Sequence, residues 1–320
     1  MQFSPSVYEH AAQIIKKSPW VVSRDADLLY KAHAAAYTRY RHSPVTVGID
    51  IYNLEAEAYG AVVEEPSGNN IPTISKPLLA TAEDIMALKP LDPGSDGRLS
   101  MVISTGEKLS RTFPDADVRI PVSGPVSIAS TLMGVEEFLM GLAIDPEKIQ
   151  QALYHLATGQ VAFCREIHRK GLDITFFESA AAPPLISPNQ FREMILPVLK
   201  SMMQEIAEIV GHSLAFVIGG DTTPILDSLL QTETNYLICP SETDQEVFMK
   251  KIWDRNDITV RINMDPRILV FGTWDEIKAE VDRILSITRG RENVCLGTGV
   301  LPYETPPENV DKVREYVAKL

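Results

Sequence analysis

Cysteine is scarce in this chain: Cys164, Cys239 and Cys295 are the only three in 320 residues. They are far apart and odd in number, so neither a disulfide framework nor a CxxC metal knuckle can be drawn from them. A reducing, cytoplasmic setting is expected. Long apolar runs are also missing. None approaches the ~18 consecutive apolar residues of a membrane span, so no membrane partner is expected. The opening stretch MQFSPSVYEHAAQIIKKSPW has no apolar core ahead of a small-residue cleavage site, so no secretory signal is expected. Positive charge is in deficit, with 30 Lys and Arg against 43 Asp and Glu, for a net charge of −13. That balance argues against a nucleic-acid backbone as the partner. No low-complexity segment or fixed repeat is visible.

What the sequence does contain is an ordinary globular balance, 45% hydrophobic and 23% charged. Short apolar, β-branched runs occur at Val45–Ile49, Val118–Val122, Ile174–Phe177, Leu214–Ile218, Tyr236–Ile238, Ile258–Ile262 and Val294–Leu296. A weaker one lies at Ile71–Ile74. Most are apolar on both faces, as parallel strands covered on both sides should be. Helical periodicity fills the gaps, at Val135–Met140, Pro146–His168, Asn189–Val210, Thr273–Thr288 and Asn309–Leu320. Ser187-Pro188 supplies an N-cap and a first-turn proline for the third of these. Eight strands alternating with helices predict an α/β fold, a single (β/α)8 TIM barrel over residues 44–320. Residues 1–43 are expected as a helical extension packed outside it. Glu83–Leu109 reads as a surface excursion. A doubly wound open sheet is the alternative, and it has less support because no GxGxxG follows the first strand.

In a barrel of this kind the chemistry collects where the strands end. Asp50, Tyr52, Asn53 and Glu55 follow the Val45 strand, Ser123 the Val118 strand and Glu178 the Ile174 strand. Asp221-Thr222-Thr223 follows Leu214–Ile218, and Ser241-Glu242 follows Tyr236. Asn263 and Asp265 close the seventh run, and Thr298 the eighth. Each has an ordinary structural reading: Asp221 can cap the helix at Ile225, Asn263–Pro266 can be a turn, and Glu57 can sit on a solvated face. Taken together, six carboxylates on one rim must be solvated, paired or bound to a cation or hydrogen-bond donor. The rim is therefore expected to form an acidic pocket.

The segments GIDIYNLEAEAYG, SGPVSIASTLMG, ESAAAPPLISPNQFREMILPVLKSM, GGDTTPIL, INMDP and GTGVLPYETPPENV follow one another in that order. This succession, from about residue 44 to the C-terminus, resembles the uroporphyrinogen decarboxylase superfamily, and its corrinoid-dependent methyltransferase branch more than the decarboxylases. The resemblance implies a (β/α)8 barrel with a funnel-shaped site at the strand C-termini. Two departures from the superfamily patterns follow. An RQAGRY-type segment holds substrate carboxylates in the decarboxylases, whereas residues 34–45 here read AAAYTRYRHSPV. Thiol-methylating members carry zinc on H-x-C-G and on a GCGIPP cysteine, whereas the corresponding positions here are Val217, Gly219 and Thr298. No metal site and no zinc are expected, nor coenzyme M or homocysteine as acceptor.

An acceptor that needs no metal must already be nucleophilic, as N5 of tetrahydrofolate is. By this resemblance the chain looks like a methylcorrinoid:tetrahydrofolate methyltransferase of anaerobic one-carbon metabolism, such as the use of glycine betaine or methylamines. The expected reaction converts methylcobalamin and tetrahydrofolate to cob(I)alamin and 5-methyltetrahydrofolate. The corrinoid would arrive on a small carrier protein, because the chain has no D-x-H-x-x-G. Asn263 near N5 and Asp221 are the candidate catalytic residues. Asp50, Asn53, Glu178, Ser241, Glu242 and Thr298 are the candidate substrate-binding set, with Asp50, Glu178 and Asp221 on the pterin N–H edge. A homodimer is expected. Three other functions remain open. They are a corrinoid-protein methyltransferase acting on a small methylated amine or ether, a uroporphyrinogen decarboxylase, and a non-catalytic binding barrel.

Overall fold

The structure, a computed structural model, describes residues 1–319. Its centre is a curled sheet of eight parallel strands: β1 Gln2–Ser6, β2 Val45–Thr46, β3 Val118–Ser123, β4 Asp173–Phe177, β5 Leu214–Val217, β6 Thr234–Cys239, β7 Thr259–Met264 and β8 Val294–Val300. The order is β1-β8-β7-β6-β5-β4-β3-β2, so the last strand lies beside the first and the sheet rolls into a (β/α)8 barrel. Between β1 and β2 the Ser4 hydroxyl donates to the Ser43 carbonyl.

The expected count of eight is met, but by a different set of strands. Residues 2–6 form β1, paired with β8 from Gln2↔Cys295 to Ser6↔Val300, so residues 1–43 are the first strand and crossover of the barrel and not an extension outside it. QFSPS was hard to recognise because it is short, polar and interrupted by Pro5. Proline has no N–H for a ladder, and the register shifts between Ser4 and Ser6. The Ile71–Ile74 run is no barrel strand. Thr73 makes a lone antiparallel bridge to Glu64 in the loop after β2. Leu99–Thr112, overlapping the end of the expected excursion, is an amphipathic barrel helix that buries Leu99, Val102, Ile103, Gly106 and Leu109. A Cβ on Gly106 would come within 2.7 Å of the Ile120 side chain, so glycine lets this helix lie close on β3. The helix starts read from sequence are present, with capping boxes at Ser187/Gln190 and Thr273/Glu276.

Alternation along the strands makes two apolar regions. Ile120, Ile174, Phe176, Phe216, Leu237, Ile262 and Leu296 belong to the large core shared with the helices. Tyr8, Ile51, Phe177, Val217 and Ile238, with Tyr52 and Tyr236 against them, form a separate cluster in the barrel.

Three histidines, His10, His33 and His42, are buried where the first crossover meets the barrel. Burial holds His10 and His33 down to about 4 and His42 to about 3. Neither ring nitrogen of His42 has a hydrogen-bond partner. A folded-state value below the unfolded ~6.5 means the unfolded chain binds the extra proton, so His42 removes stability as pH falls from about 6.5 toward 3. Glu9, Glu55 and Glu178, pushed up to about 7 by burial, act in the opposite direction over part of that range. A difference measurement isolates the histidine. His42→Phe should match wild type near pH 7 and exceed it by roughly 2–3 kcal/mol at pH 4.5 in urea unfolding. Equal pH dependence of the two proteins would refute the assignment.

Candidate functional site

The strand ends converge on a cavity of about 160 Å³ inside the barrel mouth. A roomier surface hollow of about 570 Å³ lies on the outer helices around Trp253, away from the strand ends. The wall of the mouth cavity is largely aromatic and aliphatic: Tyr8, Tyr52, Phe177, Val217 and Ile238. The Tyr8 and Tyr52 rings stand edge-on to Phe177, with centroids 6.0 and 5.8 Å away. Tyr52 is fixed by a 2.7 Å hydrogen bond between its hydroxyl and that of Ser179. Burial pushes the Tyr52 phenol well up, so it remains a neutral hydrogen-bonding group.

Two polar side chains from β7 face this wall. Alternation on a strand places residues two apart on one face, so Arg261 and Asn263 both enter the cavity. Arg261 is 5% exposed and Asn263 3%. The Arg261 Nε and the Asn263 Oδ1 are buried without a partner. Among the described residues no carboxylate pairs with the Arg261 guanidinium. Space for both comes from Gly297 opposite on β8, where a Cβ would stand 2.5 Å from Arg261 Cδ and from Asn263 Oδ1.

The acidic pocket expected from the sequence does not form, because most of the rim carboxylates are engaged elsewhere. Asp50 is gripped by Arg98, Nη1 to Oδ1 at 2.9 Å and Nη2 to Oδ2 at 2.8 Å. Asn53 donates to Asp50 and to the Pro72 carbonyl at 2.7 Å, so it shapes its loop instead of lining the cavity. Glu178 accepts from the Val126 and Ser127 amides and the Ser127 hydroxyl, at 3.0, 2.8 and 2.7 Å. It thereby satisfies the first turn of the helix Pro125–Met133. A Cβ at Gly124 would collide with its carboxylate, which accounts for the glycine in SGPVS. Glu55 accepts from the Ser123 amide at 2.6 Å behind the cavity.

Asp221 is exposed and accepts from the Thr223 amide at 3.1 Å, the local turn role that its sequence allowed. Asp265 pairs with Arg267 at 2.6 Å and caps the helix Pro266–Phe271. Thr298 points away from the cavity, and its Oγ1 accepts from the Ser6 amide at 3.1 Å. Ser241 donates to Glu242 at 3.1 Å on the rim, and Glu242 alone of the proposed acids lines the cavity. Asn263 and Glu242 thus reach the site, while Asp50, Asn53, Glu178 and Thr298 support it.

Sequence reasoning missed Tyr8 and Arg261. Tyr8 follows a strand that was not recognised. Arg261 sat in plain view inside the apolar run TVRINM, where a lone buried cation was itself the signal. Among the described residues no trio of His, Cys, Asp or Glu is placed to hold a metal ion. Val217 and Gly219, at positions compared above with zinc ligands, line the cavity.

The family profile described as Uroporphyrinogen decarboxylase (URO-D) matches residues 2–320. Methylcobamide:CoM methyltransferase MtaA of Methanosarcina barkeri is 28% identical over 199 residues, covering 62% of this chain and 56% of that protein. The chain thus spans little more than half the length of that relative. Uroporphyrinogen decarboxylase of Pelodictyon phaeoclathratiforme is 27% identical over 276 residues, 80% of this chain and 76% of the relative. A solved methyltransferase from Methanosarcina mazei superposes with a TM-score of 0.83 at 22% identity, covering 98% of this chain and 92% of that one. At that identity the superposition shows a shared fold.

Proposed function

Since the chain belongs to the uroporphyrinogen decarboxylase family, we propose that it is a methyltransferase that moves a methyl group from a corrinoid at the barrel mouth to N5 of tetrahydrofolate in the cavity. The names of relatives such as Methylcobamide:CoM methyltransferase support corrinoid chemistry in this family. The observation that carries the choice of acceptor is the unpartnered Asn263 Oδ1, a buried acceptor in the cavity with nothing on it. The N5–H of a tetrahydropterin is a donor, and it becomes a stronger one as N5 gains positive charge. A hydrogen bond to Asn263 would therefore strengthen toward the transition state.

The remaining residues divide the work. Tyr8, Tyr52 and Phe177 offer rings against which a flat pterin can pack. Glu242, the rim carboxylate on the cavity, is the group placed for a pterin N–H edge, in place of Asp50 and Glu178. Asp221 is exposed on the neighbouring loop, which Thr222 ties to Thr243 beside Glu242, and can pass the released proton to water. The corrinoid supplies an electrophilic methyl group and, on this reading, is brought by a separate carrier protein. The chain's own contribution is positioning and exclusion of water from the reacting pair.

Asn263→Ala is expected to lower kcat for methylcobalamin:tetrahydrofolate transfer about 10–100-fold with a smaller change in tetrahydrofolate affinity, the scale of one lost charge-assisted hydrogen bond. Anaerobic absorbance spectroscopy of methylcobalamin, with enzyme and tetrahydrofolate added, reads the rate. No conversion by wild type, with free methylcobalamin or with carrier protein, would refute the function. A normal rate in Asn263→Ala would refute the placement of N5.

A further inference from the structure

Arg261 carries a feature that the methyl-acceptor role of Asn263 does not use. Buried arginines elsewhere in the chain are answered by acceptors. Arg98 is held by Asp50 and Glu57, Arg119 by Asp117 and Asp173, and Arg291 donates to the carbonyls of Ile252, Trp253, Arg255 and Ile258. Arg261 is equally withdrawn from solvent, yet among the described residues its guanidinium donates to no protein acceptor and pairs with no carboxylate, and its Nε is buried without a partner. Taking a guanidinium out of water is unfavourable unless hydrogen-bond acceptors or an anion answer it. Gly297 keeps space open beside it, since a Cβ there would stand 2.5 Å from Arg261 Cδ.

We propose that Arg261 is an anion subsite on the floor of the barrel cavity, and that the molecule it recognises is a small monocarboxylate. The chamber of about 160 Å³ holds one cation, which matches one negative charge. The planar fork of the guanidinium pairs with a carboxylate through two parallel hydrogen bonds. The rest of the ligand faces Tyr8, Tyr52, Phe177, Val217 and Ile238, so its far end is apolar or methylated. Glu242, the carboxylate on the cavity, stands at the solvent-exposed rim, where water screens it from the floor. This inference rests on reading the mouth as a methyl-transfer site and names a second occupant of the cavity assigned above to tetrahydrofolate, on the donor side of the corrinoid.

Three probes of similar size separate the contributions by calorimetric titration of the full chain. 3,3-Dimethylbutanoate and glycine betaine both carry a carboxylate, whereas choline carries only the quaternary ammonium. The two carboxylates should bind at least 30-fold more tightly than choline. R261Q should lower their affinity by a similar factor while its circular dichroism spectrum and Tm stay close to wild type. Choline binding as well as glycine betaine, or R261Q binding the carboxylates unchanged, would overturn the subsite. The probe comparison in wild type needs no variant, so it decides the matter even if R261Q fails to fold. Carboxylate binding without methylcobalamin:tetrahydrofolate transfer would leave the subsite standing and remove the function proposed above. Transfer without carboxylate binding would do the reverse.

Discussion

Replacing Arg98 by alanine is expected to destabilise the protein by roughly 3–5 kcal/mol, the scale seen when one partner of a buried ion pair is removed. The Asp50 side chain is 1% exposed and the Arg98 side chain 11%. Two charge-assisted hydrogen bonds join them, and the Arg98 Nε donates to Glu57 at 2.6 Å while Nη1 also donates to the Ser23 carbonyl at 2.7 Å. One side chain therefore ties the loop after β2 to the first crossover. Without it Asp50 is left buried with the Asn53 amide at 3.2 Å and Arg24 at 3.8 Å, which offset part of the loss. Urea unfolding followed by circular dichroism gives the number, and a loss under about 1 kcal/mol would show that the network is not what holds this loop. The double change Asp50→Asn with Arg98→Met should recover part of the stability, because it removes the uncompensated charge as well as the pair. The site should respond too: Asp50 directly precedes Ile51–Asn53, the turn that carries Tyr52 into the cavity wall.

The same network shows what the sequence could and could not convey. Strands β3 to β8 were legible because they are buried on both faces and read as apolar runs, and their ends located the mouth. Strand β1 was not, because QFSPS is interrupted by Pro5 and two of its buried positions, Ser4 and Ser6, are polar serines. The identity of the rim residues was legible, but their pairing was not. Asp50 and Arg98 are 48 positions apart, and nothing in either local pattern says that they meet. Glu178 and the amides of Val126 and Ser127 come together only because β3 and β4 are neighbours. Carboxylates counted along a chain were therefore read as a binding surface, whereas in the fold several of them are the acceptors for buried arginines and amides. The residues that remain open, Arg261 and Asn263, were readable in principle. A strand with alternating faces carries both to the interior, and an interior arginine with no acid opposite asks for a ligand.

Gly297→Ala should be the most damaging single-methyl change in the site. The added Cβ would stand 2.5 Å from Arg261 Cδ and from Asn263 Oδ1, and nearer still to Arg261 Cγ, so both side chains must move. Overpacking of this kind costs about 1–3 kcal/mol of stability. Its functional cost should be larger, because displacing a positioning group by about 1 Å can lower a rate on the order of 100-fold. Methyl transfer and the binding of 3,3-dimethylbutanoate should fall together, since one methyl group disturbs the N5 acceptor and the anion subsite at once. Gly219→Ala is the matched control. It adds a methyl to another cavity glycine, but the nearest atom, Ser179 Oγ, lies at an ordinary 3.7 Å. Stability should hardly change there, and carboxylate binding should survive because the new Cβ meets neither Arg261 nor Asn263. If Gly297→Ala keeps wild-type transfer and wild-type carboxylate affinity while Gly219→Ala loses them, the working side chains are not those of β7. The site would then have to be sought toward β5 and Ser179, which line another part of the same cavity.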